Sequence, residues 1–221
     1  MGVLIVEIEY VDFLGSIHIG VKMLCTESSA FIPYNAPLNL QNLLQSTLKV
    51  EITKVSDSII GSLAVGNSFG CVVSSVLSSE VLNELESTDL PIFQSSEFFA
   101  FGNVVLANDY GGLISPVVPL TIQKAISDTL NIPLEARTIA NSDLVGSLAF
   151  VTNYGGLITP LASEEEILEI KEILHLQQVG VGSVNKGSEF VASGIIGNTK
   201  GLLIGRETTG IETMEITRCF S

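Results

Sequence analysis

The chain has 221 residues and a mass of 23.5 kDa, and hydrophobic residues make up 46% of it against 15% charged residues. This composition excludes an intrinsically disordered chain, and the length suits one large domain or two small ones. The mean hydropathy is +0.49, yet no apolar run approaches the roughly 20 residues that cross a bilayer, so no membrane-spanning segment is predicted.

The chain is rich in acidic residues. Twenty-four Asp and Glu residues against 10 Lys and Arg give a net charge of -14, which repels nucleic acid and favours basic protein partners. The three cysteines, Cys25, Cys71 and Cys219, form no CxxC pair, and an odd count gives no complete disulfide framework. Residues 1–10 carry no basic cluster and no cleavage signal, so we expect an intracellular protein.

A short pattern recurs along the chain: an apolar run, a polar turn and a second apolar run. Three copies are plain: GSLAVGNSFGCVVS from Gly61, GNVVLANDYGGLISP from Gly102 and GSLAFVTNYGGLITP from Gly146. A degenerate copy, GVKMLCTESSAFIP, begins at Gly20, and another, ASGIIGNTKGLLIG, begins at Ala192. The starts near residues 20, 61, 102, 146 and 192 lie about 41 to 46 residues apart, the size of a propeller blade or solenoid repeat.

Each copy predicts a β-hairpin. The turns pair an asparagine with a glycine, and we attribute this to the tolerance of both residues for left-handed backbone. The pairs are Asn67 with Gly70, Asn108 with Gly111, Asn153 with Gly155, and Asn198 with Gly201.

A helix and a third strand are predicted to follow each hairpin, because apolar residues there recur at helical spacing. In chain order, the helices follow Pro37, Ser78 and Pro119, then Ser163 in a Ser163–Glu166 capping box, and finally run from Thr208 to about Cys219. Strand-like stretches such as Val50 to Lys54 and Leu134 to Ile139 lead into the next hairpin. The unit is therefore a mixed three-stranded sheet with a helix.

Five such units are predicted to close into a ring over residues 1–221, because no unit can bury its faces alone and closure removes exposed sheet edges. An open solenoid is the alternative and would need polar terminal caps. Residues 1–19, Val3 to Ile8 especially, are as apolar as the middle of the chain. This favours the closed ring.

Candidate catalytic groups are few. His18 and His175 lack the spacing to Cys, Asp or Glu that metal sites show, and we interpret both as structural or surface residues. Cys219 suggests one alternative, since five-bladed α/β rings with a late nucleophilic cysteine include guanidine-modifying enzymes. That chemistry needs a low thiol pKa and a convergent histidine and carboxylate. Cys25 and Cys71 are predicted to be small core residues.

Three further features favour structural interpretations. The glycine-rich residues 180–187 match neither GxGxxG nor GxxxxGK[ST] and predict a bulge or tight turn rather than a phosphate loop. Glu164–Glu166 is predicted to be the solvated start of a helix. Phe98, Phe99 and Phe101 are interleaved with no basic residues and are predicted to pack in the core or between blades.

Several motifs together resemble the translation initiation factor 6 family. They are Ile59-Ile60-Gly61 with Val65-Gly66-Asn67, Gly102-Asn103 with Asn108-Asp109-Tyr110, Val145-Gly146-Ser147, Gly155-Gly156-Leu157, Val184-Asn185-Lys186-Gly187-Ser188-Glu189, and Glu207-Thr208-Thr209-Gly210. The resemblance runs from about Ile19 to Ile216 and looks closer to the eukaryotic than to the archaeal form. It departs from the family at Ser62, where an arginine is common, at Phe101 and at Ile211.

The resemblance implies a pentein fold, a five-bladed α/β propeller with pseudo-fivefold symmetry. It also implies a monomeric, non-enzymatic protein without cofactor or metal, which binds the large ribosomal subunit and sterically blocks the small one. The implied partners are the uL14 ribosomal protein and its neighbours, with limited local rRNA contact, and a GTPase with its cofactor for release. A role in late subunit maturation follows, with a cytoplasmic location that extends to the nucleus in a eukaryote.

The binding face is predicted from the repeat and the resemblance together. Equivalent positions should cluster on one face around the pseudo-axis, with Asn103 central: Gly20, Gly61, Ser62, Gly102, Asn103, Gly146, Ser147 and Ser193. The alternative is that the glycines only permit tight packing near the axis.

Overall fold

A computed structural model describes residues 6–221, which form five blades of mixed α/β structure. Each blade is a three-stranded sheet whose first two strands are antiparallel and whose third strand runs parallel to the second. The strands in chain order are β1 (Glu7–Val11), β2 (Leu24–Cys25), β3 (Ser29–Pro33), β4 (Glu51–Val55), β5 (Ala64–Gly66), β6 (Cys71–Val73), β7 (Ile92–Gln94), β8 (Val105–Ala107), β9 (Gly112–Ile114), β10 (Leu134–Ala136), β11 (Ala149–Val151), β12 (Gly155–Ile158), β13 (Gln178–Val181), β14 (Ile195–Asn198) and β15 (Gly201–Gly205).

The N-terminal strand closes the ring. Blades 1 to 4 are β2-β3-β4, β5-β6-β7, β8-β9-β10 and β11-β12-β13, each built from consecutive strands. Blade 5 joins β14 and β15 to β1, with Glu7 opposite Gly201 and Val11 opposite Gly205. Since the first strand completes the last sheet, the closed ring is confirmed and the open solenoid is wrong. Residues 3–5, used in the sequence argument, lie outside the described residues.

Two sets of helices alternate along the chain. They are α1 (Ile19–Lys22), α2 (Leu38–Leu43, extended by a π-helical Leu44–Leu48), α3 (Ile60–Leu63), α4 (Ser79–Glu86), α5 (Phe101–Val104), α6 (Leu120–Leu130), α7 (Val145–Leu148), α8 (Glu164–Ile173), a 3-10 turn (Val191–Gly194) and α9 (Gly210–Phe220). The longer helices confirm the five predicted ones. None of the helices in residues 6–221 is long and apolar enough to cross a bilayer.

The starts of two longer helices are fixed by local sequence. Ser163 and Glu166 form the predicted capping box of α8, and Thr209 with Glu212 forms a second one at α9. The four-residue helical turns were not expected, because the repeat starts read as apolar runs that lead into strands.

The apolar core is divided among the five junctions between blades. One cluster of buried side chains lies at each junction, for instance around Phe101 and Val65 between blades 2 and 3, and around Val145 and Leu106 between blades 3 and 4. Burial of apolar surface therefore stabilises the contacts between repeats, and a single blade would leave half of its cluster in water.

The asparagines of the hairpin turns also join the blades. Asn108 Oδ1 accepts hydrogen bonds from the backbone N–H groups of Tyr110 and Gly111, at 2.9 and 3.1 Å. Its Nδ2 donates to the carbonyl oxygens of Thr152 and Leu174 in the next blade, at 3.1 and 2.8 Å. Asn67 and Asn198 make corresponding bonds to their own neighbours.

The predicted reason for these turn residues was wrong. The paired asparagines and glycines have no left-handed backbone, which occurs instead at positions such as Leu14, Ala140 and Asn185. The asparagines serve as side-chain acceptors and donors, and a Cβ added at Gly111 would lie 2.2 Å from the Ile173 carbonyl oxygen.

The fourth pair was also misassigned. Thr152, not Asn153, takes the asparagine position in blade 4, with Oγ1 accepting from the N–H groups of Tyr154 and Gly155. Asn153 instead bonds to Asp109 of blade 3.

Candidate functional site

The helical turns of the five blades meet around the pseudo-axis. Each turn begins with a fully buried apolar residue: Ile19, Ile60, Phe101, Val145 and Val191. These anchors fix the backbone, so the second and third residues of every turn face the axis. We call these ten residues the axial rim: Gly20, Val21, Gly61, Ser62, Gly102, Asn103, Gly146, Ser147, Ala192 and Ser193. The rim contains all eight of the predicted site residues, and it brings them together.

The glycines of the rim are required by packing. A Cβ at Gly61 would lie 2.0 Å from the carbonyl oxygen of Gly20, and a Cβ at Gly102 would lie 2.0 Å from that of Gly61. At Gly146 the distance to the Gly102 carbonyl oxygen would be 2.4 Å. Heavy atoms cannot approach so closely, so the turns of blades 1 to 4 can meet at the axis only because their second residues are glycines, whereas blade 5 has Ala192 at this place. This supports the packing interpretation for the glycines, and it leaves the third residues as the groups that a partner can reach.

The axial rim surrounds a depression of about 280 Å³ that His18, Ser188 and Phe190 also line. Ser147 Oγ donates a hydrogen bond to Asn103 Oδ1 at 3.1 Å, and Ser193 Oγ donates to the Phe190 carbonyl oxygen at 2.7 Å. The lining thus mixes hydroxyl and amide groups with glycine and apolar residues, and His18 is its one ionisable side chain among the described residues. The surface at the axis is concave.

Apolar side chains flank the axial rim at three of the five turns. The residue directly before the buried anchor is apolar and exposed in blades 2, 4 and 5, and these three side chains form the apolar collar: Ile59 (36% exposed), Leu144 (38%) and Phe190 (40%). Phe98, in the loop before α5, is 63% exposed and departs from the expected core packing, although Phe101 is fully buried. Because folding does not bury these side chains, their clustering on one face is typical of a surface that contacts another molecule.

One loop of this face is fixed by a buried carboxylate. Glu212 accepts hydrogen bonds from Ser183 Oγ at 2.7 Å and from the N–H groups of Gly187 and Thr209 at 2.8 and 2.7 Å. Burial acts to raise the pKa of Glu212, but these hydrogen bonds outweigh it and lower the pKa below the usual value. Asn185 and Gly187 adopt left-handed backbone, so the predicted tight turn within residues 180–187 is confirmed.

Cys219 lacks the surroundings of a nucleophile. It lies within α9, is 3% exposed and packs with Ile216 and Phe220. Burial chiefly, and then the Glu215 carboxylate, raise the pKa of its thiol to about 12, against the opposing effect of Arg218. A thiol needs a lowered pKa to react as thiolate, so this environment does not favour the guanidine-modifying chemistry.

The other candidate groups lie apart. His18 precedes α1 at the axial rim, whereas His175 follows α8 and contacts the Tyr110 ring edge to face. Cys71 is buried as predicted, while Cys25 is only partly buried and lines a second depression on the axis, among the first strands of the blades. Within residues 6–221, no group of three His, Cys, Asp or Glu side chains could hold a metal ion.

Sequence reasoning missed His18, Phe190 and the remainder of the collar. A signal was present, because His18, Ile59, Leu144 and Phe190 each directly precede the buried anchor of a repeat. Aligning that position across the five copies would have found them.

The ring of five three-stranded blades, closed by its first strand and joined at the axis by helical turns, is a pentein fold. Comparison with known families is consistent with this class. The eIF-6 family model matches residues 8–219, nearly the whole chain, and the protein therefore belongs to the eIF-6 family.

Individual relatives agree with the family match. The chain is 35% identical to the protein named translation initiation factor 6 of Methanoculleus marisnigri, over 95% of this chain and 96% of the relative. It is 34% identical to the proteins of that name from Methanocaldococcus jannaschii, over 92% and 93%, and Staphylothermus marinus, over 97% and 98%. These relatives are named as translation factors and not as enzymes. The expected likeness to the eukaryotic form stays a prediction.

Proposed function

We propose that this protein is a translation factor that binds the large ribosomal subunit through the axial rim and the apolar collar, and that it thereby blocks the small subunit sterically. Family membership supports a role in translation, and the names of the relatives support a non-enzymatic factor. The observation that carries the choice of face is that all eight predicted site residues line one depression on the pseudo-axis, together with the exposed apolar side chain of Phe190.

The chemistry of this face fits a protein partner better than bare RNA. Its centre offers hydroxyl, amide and imidazole groups, and its collar offers apolar contacts such as Ile59 and Phe190. A net charge of -14 opposes phosphate and favours basic ribosomal proteins. We infer that the uL14 protein and its neighbours form most of the contact, with rRNA contributing locally, and that a GTPase with its cofactor releases the complex.

Sedimentation tests this proposal. The purified protein is mixed with cognate large subunits, centrifuged through a gradient and then challenged with small subunits. We expect co-sedimentation with the large subunit and a reduced yield of joined ribosomes. Joining that proceeds unchanged although the protein is bound would contradict the steric mechanism, and absence of co-sedimentation would contradict the partner.

Variants of the face locate the contact. Asn103→Ser should weaken co-sedimentation while it leaves the melting temperature nearly unchanged, because Asn103 is partly exposed and its side chain bonds only Ser147 within residues 6–221. Ser147→Ala removes the same hydrogen bond without changing Asn103, so it shows how much of any loss comes from that bond alone. Gln177→Ser alters an exposed amide away from the axial rim and should bind normally. Equal weakening by Asn103→Ser and Gln177→Ser would refute the assignment of this face.

A further inference from the structure

An open groove of about 530 Å³ lies at the outer edge of the ring between blades 1 and 2. One wall is strand β4, represented by Ile52 and Lys54, and the other wall is helix α4, represented by Glu80 and Glu84. Tyr34, which is 58% exposed, stands at the groove as well. The groove is far from the axial rim in the fold, because β4 is the outermost strand of its blade.

Strand β4 presents an unpaired edge to this groove. Its inner side is bonded to β3, with the Glu51 N–H donating to the Ser28 carbonyl oxygen and the Val55 carbonyl oxygen accepting from Tyr34. Because successive residues of a strand direct their backbone groups to opposite sides, the N–H and C=O of Ile52 and Lys54 face the groove. Neither residue's backbone has a partner on that side within residues 6–221. Such an edge is a template for an added strand.

The helix wall of the groove is acidic. Glu84 accepts hydrogen bonds from the N–H and Oγ of Ser56, both at 2.7 Å, which holds its carboxylate at the groove. Glu80 lies one helical turn away and has no hydrogen bond or ion pair within the described chain. The Coulomb effect of Glu84 is the main cause of the raised pKa of Tyr34, followed by desolvation. Lys54 is the one cation among the described residues that line the groove, so the lining has two negative side chains against one positive side chain.

The junction between blades 3 and 4 shows that an arginine can pair with a helix carboxylate at the place that corresponds to the groove. Glu169 stands six residues after the N-cap Ser163 of α8, as Glu84 stands six residues after Ser78 of α4. At that junction Arg137, at the end of β10, places Nη2 2.9 Å from Glu135 and Nε 3.5 Å from Glu169. The strand register puts Val55 in the place of Arg137 at blade 1. The groove between blades 1 and 2 thus has the helix carboxylate, Glu84, without the guanidinium, and Thr53 takes the place of Glu135.

We propose that this groove binds an extended, arginine-containing segment of a partner protein, which adds to β4 as a further strand and places a guanidinium at Glu80 and Glu84. Backbone pairing with Ile52 and Lys54 supplies the affinity for an extended chain, and the carboxylates select its positive charge. A nucleic acid strand is disfavoured because it has no backbone N–H and C=O pattern for the edge and brings phosphates to an acidic wall. This site does not depend on the proposed function of the axial rim.

A labelled peptide tests the groove on the full chain without ribosomes. The probe is a fluorescent octapeptide that alternates arginine with threonine and valine, and its anisotropy is followed as protein is added. A second probe carries N-methyl groups on alternate amides, which block strand pairing but keep the charge. We expect binding of the first probe, at least about tenfold weaker binding of the second, and slowed amide exchange at Ile52 and Lys54 on binding.

Variants separate the groove from the general acidity of the surface. Glu80→Gln should weaken binding of the first probe about threefold to fivefold, which is the scale of one exposed ion pair. Glu165→Gln is the matched control, because Glu165 is the second residue of α8 as Glu80 is of α4, and it should bind normally. Equal binding of both probes, equal loss in the two variants, or no binding at all would overturn the proposal.

Discussion

Replacing Asn108 with threonine should separate the two tasks of the turn asparagines. Thr152 shows that a threonine at this position still accepts the two N–H bonds of its own turn, at 3.2 Å each. Asn108→Thr should therefore keep the turn and lose only the two bonds that Nδ2 donates to Thr152 and Leu174 of the next blade. The comparison isolates the contribution of the side chain to blade association.

The magnitude follows from the buried groups left without partners. Asn108 is 5% exposed, and losing two bonds to buried carbonyl oxygens costs about 1 to 1.5 kcal/mol each, which gives about 2 to 3 kcal/mol. Asn108→Ala also removes the two turn bonds and should cost about 3 to 5 kcal/mol. For a chain of this size about 2 kcal/mol corresponds to a fall in melting temperature of roughly 4 to 8 °C.

Equilibrium unfolding in urea, followed by circular dichroism, measures these differences. The control is Thr152→Ala, which removes turn bonds without an inter-blade donor and should cost less than Asn108→Ala. If Asn108→Thr were as stable as the parent protein, the inter-blade bonds would contribute nothing and the reasoning would be refuted. If both Asn108 variants were equally unstable, the turn bonds would be irrelevant.

Three further predictions concern packing, a buried hydroxyl and pH. Gly102→Ala should destabilise by about 2 to 3 kcal/mol, measured by urea unfolding, because its Cβ would lie 2.0 Å from a backbone oxygen of the adjacent turn; a neutral effect would contradict the packing role. Ser115→Ala should cost about 1 kcal/mol of stability, because Ser115 Oγ donates a hydrogen bond to Asp143 at 2.8 Å. Ser74→Ala should be neutral or stabilising, because Ser74 Oγ is buried without a partner in residues 6–221. A larger loss of melting temperature in Ser74→Ala than in Ser115→Ala would contradict this reasoning. The lowered pKa of Glu212 means that its carboxylate stabilises the folded protein above the unfolded pKa of about 4.3, and that this contribution is lost as pH falls through the folded pKa. The difference in unfolding free energy between the parent protein and Glu212→Gln should therefore shrink below about pH 4. A difference that does not change with pH would exclude this linkage.

Local signals set much of the fold. The recurring glycines from Gly20 to Gly146 were visible as a repeat, and the starts of the longer helices were readable because each depends on neighbours within one turn. The same repeat placed Asn103 and Ser147 at equivalent positions, and the structure brings both to the axial rim. Resemblance to a family then supplied an expectation that repeats alone do not give, namely which partner to test.

Contacts between distant parts of the chain could not be read in this way. The role of Asn108 depends on carbonyl oxygens 44 and 66 residues away, and the pairing of β1 with β15 joins the two ends of the sequence. The exposure of Phe98 could not be read either, because Phe98 and Phe101 lie in one apolar stretch and only the assembled blades bury Phe101 and leave Phe98 exposed.

The amino-acid sequence by itself determined the repeat, the blade and the number of blades, because these follow from hydrophobic periodicity and local turn and cap chemistry. Only the tertiary structure decided how the ring closes, why Gly61 and Gly102 must be glycines, and that blade 1 keeps an open edge at Ile52 and Lys54. The physical reason is that close approach of backbone atoms and the pairing of polar groups across blades depend on distances in space, which a one-dimensional pattern does not contain.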